Sequence, residues 1–373
     1  MQSKIKACHI LEGDKSMKKI ICFTDSLGSG GAQRQLVGLA CMLKEKGYDV
    51  SVVLYHSNPF YKHLLDECGI ESTVVLSRNY IHRIWQMYKY FRCKNNATII
   101  AFQETPSLIS CILRPLIKCS NLIVSERNTT QIVTNKDRLR FWLWRFADFI
   151  VPNSQSQADF ITTQVPKAKH KVVKITNFVD IDTFTPSEGK QRNQNNILVV
   201  ASIKIEKNFN GVLEAVKLLK QRGIKFHLNW VGIRKDELCS YRQLIELAGV
   251  EDVMCVYEPT QNIREEYHKS DIFCLPSFFE GFPNALCEAM SCGLIVACSN
   301  VCDHPFIVKN GENGFLFNPH NPIEIADALE RLIKLSSEDK LKMSNANRKY
   351  AEEHLSKEAF VKKYIDIIER NNN

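Results

Sequence analysis

The chain has 373 residues, of which 45% are apolar and 24% charged, with 49 basic against 41 acidic side chains and a formal net charge of +8. At about 100–200 residues per domain this length predicts two or three domains, and the balance of apolar to charged residues excludes a disordered or fibrous chain. The longest charge-free stretch, Ala289–Cys302, is too short and too polar for a membrane-spanning helix, which needs about 20 apolar residues.

In chain order, residues 1–17 carry no continuous apolar core of signal-peptide type, and Met17 stands directly before the first strand-like run. They read as an N-terminal extension dispensable to the fold. Short apolar runs at 19–24, 50–55, 73–76, 98–102, 122–126, 149–153 and 172–175 then alternate with helix-length amphipathic segments such as Ala32–Lys46. The runs are rich in β-branched residues and apolar on both faces, the pattern of parallel strands covered on both sides. A Rossmann-like α/β domain is expected over 18–184. Residues 187–196, SEGKQRNQNN, contain no apolar side chain and follow Pro186, which predicts a linker over 185–196. The rhythm restarts at 196–203, continues through a helix over Phe209–Gln221 stopped by Gly223, and gives runs at 225–232, 253–256, 271–276 and 294–299. These predict a second Rossmann-like domain over 197–355. Amphipathic helices at 323–335 and 357–370 close the chain, the segment 356–373 being expected to cross back to the first domain. The fold class expected is α/β, with two doubly wound parallel sheets facing across a cleft and ligands bound at the carboxyl ends of the strands.

Fourteen cysteines are scattered, mostly inside apolar runs such as Cys22, Cys274 and Cys298. There they act as small buried hydrophobes, and a reducing compartment is expected. Cys287, Cys292, Cys298 and Cys302 form the densest group, but their spacing lacks the tight pairs of a zinc site, so no metal is expected. Charge is uneven: through Phe184 there are 25 basic and 15 acidic residues, against 24 and 26 in the remainder. Either the first half meets an anionic surface or substrate, or its basic surface serves solubility.

The loop after the first strand reads Asp25-Ser26-Leu27-Gly28-Ser29-Gly30-Gly31-Ala32-Gln33. Its glycines let backbone amides approach an anion at the following helix start. A dinucleotide fingerprint would need glycine at position 33 and an acidic residue after the second strand, and neither is present. From this loop alone, a ligand role and a plain tight turn are equally supported. The second signal is Phe278–Met290, FFEGFPNALCEAM, directly after the run 271–276. Gly281 permits an unusual backbone angle, and Pro283 suits a first helical turn. The amides of Asn284, Ala285 and Leu286 would then point at an anion. Glu280 in the loop and Glu288 in the helix could both accept hydrogen bonds from one polyhydroxylated ligand. A capping acid and a surface acid would explain each glutamate singly, but not the pair framing Gly-Phe-Pro. Two carboxylates also serve glycosidases, but those flank the scissile bond from two sides and need no phosphate cradle.

Glu280-x7-Glu288 around GFPNALCEAM resembles the double-glutamate motif of glycosyltransferase family 4, retaining enzymes of GT-B fold. GSGGAQRQLVGLA at 28–40, VPNSQSQADF at 151–160, TNFVDIDTFTP at 176–186 and GLIVACSNVCDHPFIVKNGENGFLF at 293–317 resemble further stretches of that family. The resemblance runs from about Lys18 to the end. It implies a donor side on the second domain. There Glu280 meets the sugar hydroxyls and Glu288 the ribose, the amides around Gly281, Phe282 and Pro283 line the sugar, and Ala285 and Leu286 face the diphosphate. Gly30 and Gly31 would pack on the same donor from the first domain. Lys207 matches the family lysine that neutralises the leaving diphosphate. Its usual partner, an arginine five residues earlier, is Ser202 here, and Lys204 or Arg127 is the candidate replacement. On the acceptor side the family's common histidine is absent. Ser125-Glu126-Arg127-Asn128 stands instead, as in members resembling polysaccharide and O-antigen enzymes. Glu104, Glu126 and Arg127 are the acceptor-side candidates, each with a salt-bridged loop as the competing explanation.

The resemblance implies a hexosyl transfer from a nucleotide-sugar, a UDP-sugar foremost, to a glycan or lipid-linked acceptor, with no cofactor, no metal and no nucleic-acid partner. Two other readings stay open: a nucleotide-sugar-binding protein with little or no transfer, favoured by Ser202, and a sugar-nucleotide epimerase of similar fold. Finally, Tyr80–Lys94 places Ile81, Ile84, Trp85, Tyr88 and Phe91 on one helical face among basic residues, and Arg138–Phe146 has similar character. Such helices suit an anionic bilayer surface, or bury their stripe against a sheet. A cytoplasmic protein, peripheral on the inner face of a membrane, is expected.

Overall fold

The computed structural model describes residues 18–127, 133–187 and 195–370. The expected N-terminal extension, Asn128 and most of the expected linker lie outside them. Twelve strands are described: β1 Lys19–Phe23, β2 Asp49–Leu54, β3 Glu71–Val74, β4 Ala97–Phe102, β5 Cys119–Glu126, β6 Phe149–Pro152, β7 Asn196–Val200, β8 His227–Val231, β9 Met254–Tyr257, β10 Ile272–Leu275, β11 Ile295–Ser299 and β12 Gly314–Phe317. They form two six-stranded sheets, in the orders β3-β2-β1-β4-β5-β6 and β12-β11-β10-β7-β8-β9. Counted from its own first strand, the second sheet repeats the order of the first. Both are doubly wound, and each has one switch point, between β1 and β4 and between β7 and β10. There the connections part to opposite sides and leave a crevice at the carboxyl ends. The pairs flanking both points are parallel, Ile20 opposite Thr98 and Ile272 opposite Ile197.

The apolar runs explain the sheets. All four residues of β10 and all five of β11 are buried. Each large apolar side chain so buried contributes about 1.5–3 kcal/mol relative to exposure. By packing, the chain divides into two compact units, Met1–Ile123 and Val124–Asn373, with the boundary inside β5.

Three local expectations change. Residues 172–175 form one isolated bridge, Val172 to Ile150, instead of a strand. The helix Ser337–His354 escaped the periodicity because the centre of its buried stripe is polar: Met343 and Ala351 flank Asn347, whose amide donates to the Leu294 carbonyl (2.8 Å). In the helix Tyr80–Cys93 the apolar stripe splits, with Met87 and Phe91 buried but Ile81 and Trp85 80% and 48% exposed.

Candidate active site at the second switch point

The loop leaving β7 and the loop leaving β10 are stitched together. Asn208, in a left-handed conformation (φ 57°), caps the helix Phe209–Gln221 by accepting from Gly211 N–H (3.1 Å). Its amide donates to the carbonyls of Pro276 (3.2 Å) and Pro319 (2.7 Å), and Phe278 N–H donates to the Glu206 carbonyl (2.8 Å). This brings Lys207 onto Glu280. Lys207 Nζ and Ser277 Oγ both donate to Glu280 Oε1, each at 2.6 Å, and Glu280 N–H donates to Cys302 Sγ at 3.5 Å. Ser277 is itself backed by Ser299 Oγ, which donates to its carbonyl (2.6 Å), and by buried His304, whose Nδ1 lies 2.8 Å from the Ser299 carbonyl. Burial lowers the His304 pKa from its ordinary value of 6.5, so the neutral ring is favoured.

The helix Asn284–Ser291 follows without a side-chain cap, and Pro283 sits at its cap position, one residue earlier than expected. Asn284 N–H is already used by the Phe282 carbonyl (2.9 Å), which removes it from the expected amide cradle. Cys287 N–H makes the bond back to Pro283 (3.1 Å). Ala285 and Leu286 therefore precede it, in the turn where amides lack intrahelical acceptors. Glu288 is 6% exposed, with Tyr267 O–H donating to its Oε2 (3.0 Å) and also to the Ala285 carbonyl (3.2 Å). The Phe282 and Leu286 side chains belong to the core, leaving backbone and the half-buried Gly281, Asn284 and Ala285 at the surface of this turn. The arrangement offers a cation, a hydrogen-bonded carboxylate and a helix N-terminus within one turn, suited to an anionic ligand bearing hydroxyls.

Residues 180–352 match the family model described as Glycosyl transferases group 1. A Campylobacter jejuni N-acetylgalactosamine-N,N'-diacetylbacillosaminyl-diphospho-undecaprenol 4-alpha-N-acetylgalactosaminyltransferase is 25% identical over 355 residues, 89% of this chain and 94% of that protein. A second C. jejuni protein, a GalNAc-alpha-(1->4)-GalNAc-alpha-(1->3)-diNAcBac-PP-undecaprenol alpha-1,4-N-acetyl-D-galactosaminyltransferase, is 25% identical over 373 residues, covering 94% of this chain and 99% of its own. Among solved structures, Anabaena Alr3699/HepE in complex with UDP superposes with a TM-score of 0.83 at 18% identity, over 94% of this chain and 99% of that one. The chain is a glycosyltransferase. Its fold is GT-B, as the repeated sheet order had indicated.

In this glycosyltransferase two acceptor-side candidates are not exposed. Glu126 is 1% exposed and lies 3.3 Å from Arg140, which also pairs with Asp137 (3.0 Å). Arg127 is 7% exposed and donates to Asn177 Oδ1 (2.7 Å) and to the Tyr364 hydroxyl (2.6 Å). Both are buried among side-chain partners, an arginine for Glu126 and an asparagine and a tyrosine for Arg127, and do not stand on an exposed loop. They stand at the carboxyl end of β5, next to the edge strand β6, and their partners Arg140 and Tyr364 come from the helices Asn135–Leu143 and Lys357–Glu369. Arg127 therefore does not replace the arginine missing at exposed Ser202. Lys204, also exposed, has its Nζ 4.0 Å from Glu206.

In the first unit, Gly30 and Gly31 are exposed at the start of the helix Gly31–Glu45, which has no side-chain cap. A Cβ on Gly30 would come within 2.3 Å of Gln33 Oε1. Gln33 Nε2 in turn donates to Asp25 (3.1 Å), so the residue that spoils the dinucleotide fingerprint braces the loop. Glu104, half-buried, opens the helix after β4, and its neighbour Gln103 (φ 75°) accepts from Thr24 Oγ1 (3.3 Å) across the first switch point. Cys287, Cys292 and Cys298 are buried free thiols, and among the described residues no group of three or more His, Cys, Asp or Glu is placed to hold a metal. Sequence reasoning missed Ser277, Tyr267, Asn177 and Asn208, whose roles come from long-range pairings. Asn208 alone left a local trace, standing directly before a clear helix start.

Proposed function

We propose that this glycosyltransferase moves a sugar from a nucleotide-sugar, a UDP-sugar foremost, to a glycan or lipid-linked acceptor with retention of configuration. The observation that carries the reading is the Lys207–Glu280 pair in front of the uncapped helix Asn284–Ser291. Lys207 and the helix amides would stabilise the departing diphosphate, Glu280 would hold the sugar hydroxyls, and Glu288 the ribose. The acceptor would attack from the face the nucleotide leaves, without a protein nucleophile. Supporting the donor is the UDP complex of HepE; supporting the acceptor are the diphospho-undecaprenol names of the Campylobacter proteins. Glu288→Gln keeps the size of the side chain and should abolish transfer with folding intact. Unchanged turnover would sink the assignment, and donor interconversion without acceptor would favour the epimerase reading.

A membrane address belongs to the same proposal. On the helix Tyr80–Cys93, Ile81 and Trp85 face outward, and Lys89 Nζ lies 3.4 Å from the centroid of the Trp85 ring. Beside them, His56, Arg78, His82 and Arg83 line a cavity of about 400 Å³ at the carboxyl ends of β2 and β3. Apolar side chains beside Arg78, Arg83 and Lys89 fit the inner face of an anionic bilayer. Flotation with phosphatidylglycerol vesicles should be lost in Ile81→Ser/Trp85→Ser, whereas equal flotation of variant and wild type would refute the membrane site. The functional division we keep is an acceptor domain over 18–184 and a donor domain over 197–355.

A further inference from the structure

The chain Arg127–Asn177–Asn284 runs through the second unit from the end of β5 to the first residue of the helix at the donor site. Its members come from three places in the sequence, and Arg127 and Asn177 are buried. Arg127 donates to Asn177 Oδ1 at 2.7 Å, and Asn177 Nδ2 donates to Asn284 Oδ1 at 2.9 Å. A second guanidinium nitrogen donates to the hydroxyl of Tyr364, a fully buried residue of the C-terminal helix Lys357–Glu369, at 2.6 Å.

The direction of this chain has a chemical cause. A carboxamide can point either end at a neighbour, but a guanidinium can only donate. Asn177 must therefore turn its oxygen to Arg127, which leaves its NH2 for Asn284. Asn284 must then answer with its oxygen, which turns its own NH2 away from Asn177. Asn284 is half-buried at the head of the helix Asn284–Ser291, beside the turn that holds Glu280. Each link polarises the next, so a charge-assisted start strengthens the whole run.

We propose that Arg127 is a positioning residue for the donor. Through Asn177 it makes Asn284 present N–H groups, not a carbonyl oxygen, to the diphosphate or sugar oxygens of the nucleotide-sugar. The inference rests on the donor site proposed above. Of the two places sequence reasoning left open for Arg127, the acceptor side and the stand-in for the donor-side arginine, it chooses the donor side, with Arg127 acting through Asn177 instead of touching the diphosphate. The Tyr364 bond holds the C-terminal helix to the same guanidinium, so that helix also braces the donor site.

Asn177→Asp tests the direction of the relay without emptying it. The introduced carboxylate pairs still better with Arg127 but cannot donate, so Asn284 would swing its NH2 toward that carboxylate and offer oxygen to the ligand. UDP affinity by calorimetry should weaken at least tenfold, and the donor KM should rise with it. The acceptor KM and the melting temperature should hold. Adding Asn177→Asp to Asn284→Ala should cost nothing more. Wild-type UDP affinity in Asn177→Asp, or a shift confined to the acceptor KM, would overturn the relay.

Arg127→Lys, which keeps the charge but loses the fork, should fall between wild type and Arg127→Met. Hydrogen exchange at Ala285–Cys287 in the free protein reads the relay without any ligand. It should quicken in Arg127→Met, or in Arg127→Lys should the methionine variant not fold, and unchanged exchange counts against the relay. A wild-type chain that binds neither UDP nor any UDP-, GDP- or ADP-sugar would refute the donor reading itself, leaving exchange to decide the relay.

Discussion

Two helices of the second unit start just beyond the carboxyl end of a parallel strand, and their first turns are closed in opposite ways. At Gln155–Gln164, after β6, Ser154 Oγ accepts from Gln157 N–H (3.2 Å), while the Asp303 carboxylate accepts from Gln155 N–H (2.6 Å) and Ser156 N–H (2.8 Å). A protein carboxylate already occupies the place of an anion there. At Asn284–Ser291, after β10, no side chain caps the turn, and the carboxylate in the loop before it, that of Glu280, is turned onto Lys207 and Ser277. Both helix starts carry the same partial positive charge. Whether a ligand can use it depends on whether the protein has filled it first, and the fold does both within one unit.

That contrast can be broken most directly at Lys207. Lys207→Met should lower kcat by about a hundredfold to a thousandfold, the range for losing one preorganised group at a developing charge. A turnover number near wild type would remove the anion-handling role from the open turn. A smaller effect sharpens the other side. Asp303→Ala strips two helix amides of their acceptor and should cost about 1–2 kcal/mol, the upper range for losing a cap. Urea unfolding should show this as a lower midpoint with an unchanged slope, with Asp303→Asn in between. A midpoint matching wild type would show that the first helix does not depend on Asp303.

Most of the architecture was legible from the chain. Apolar runs such as 271–276 and 294–299 are too short for helices and suit strands covered on both faces, and β10 and β11 lie within them. Gly223 marked the end of Phe209–Gln221 because its left-handed φ (70°) suits the residue beyond a helix. The helix Ser337–His354 was not legible, because a buried Asn347 in mid-stripe looks like surface until its partner, the Leu294 carbonyl, is known. The exposed side of Tyr80–Cys93 was equally hidden, since one sequence stripe can serve a core or a surface.

The candidate site divides the same way. Glu280 and Glu288 stand out because their spacing around Gly281 and Pro283 is a local property of one turn and one helix. The Lys207–Glu280 pair spans 73 positions, and the Arg127–Tyr364 bond spans 237. Neither distance is encoded in any local pattern, so Arg127 and Glu126 could be ranked only by residue type and position at a strand end. The sequence by itself determined two repeats of one α/β topology, an excess of positive charge before Phe184, and the residue types of the turn from Ser277 to Glu288. Tertiary structure alone decided which charged groups stay available. Burial and hydrogen bonding turned Glu126, Arg127 and Asp303 inward to hold the frame, and left Lys207 and Glu280 partly exposed, where a substrate can meet them.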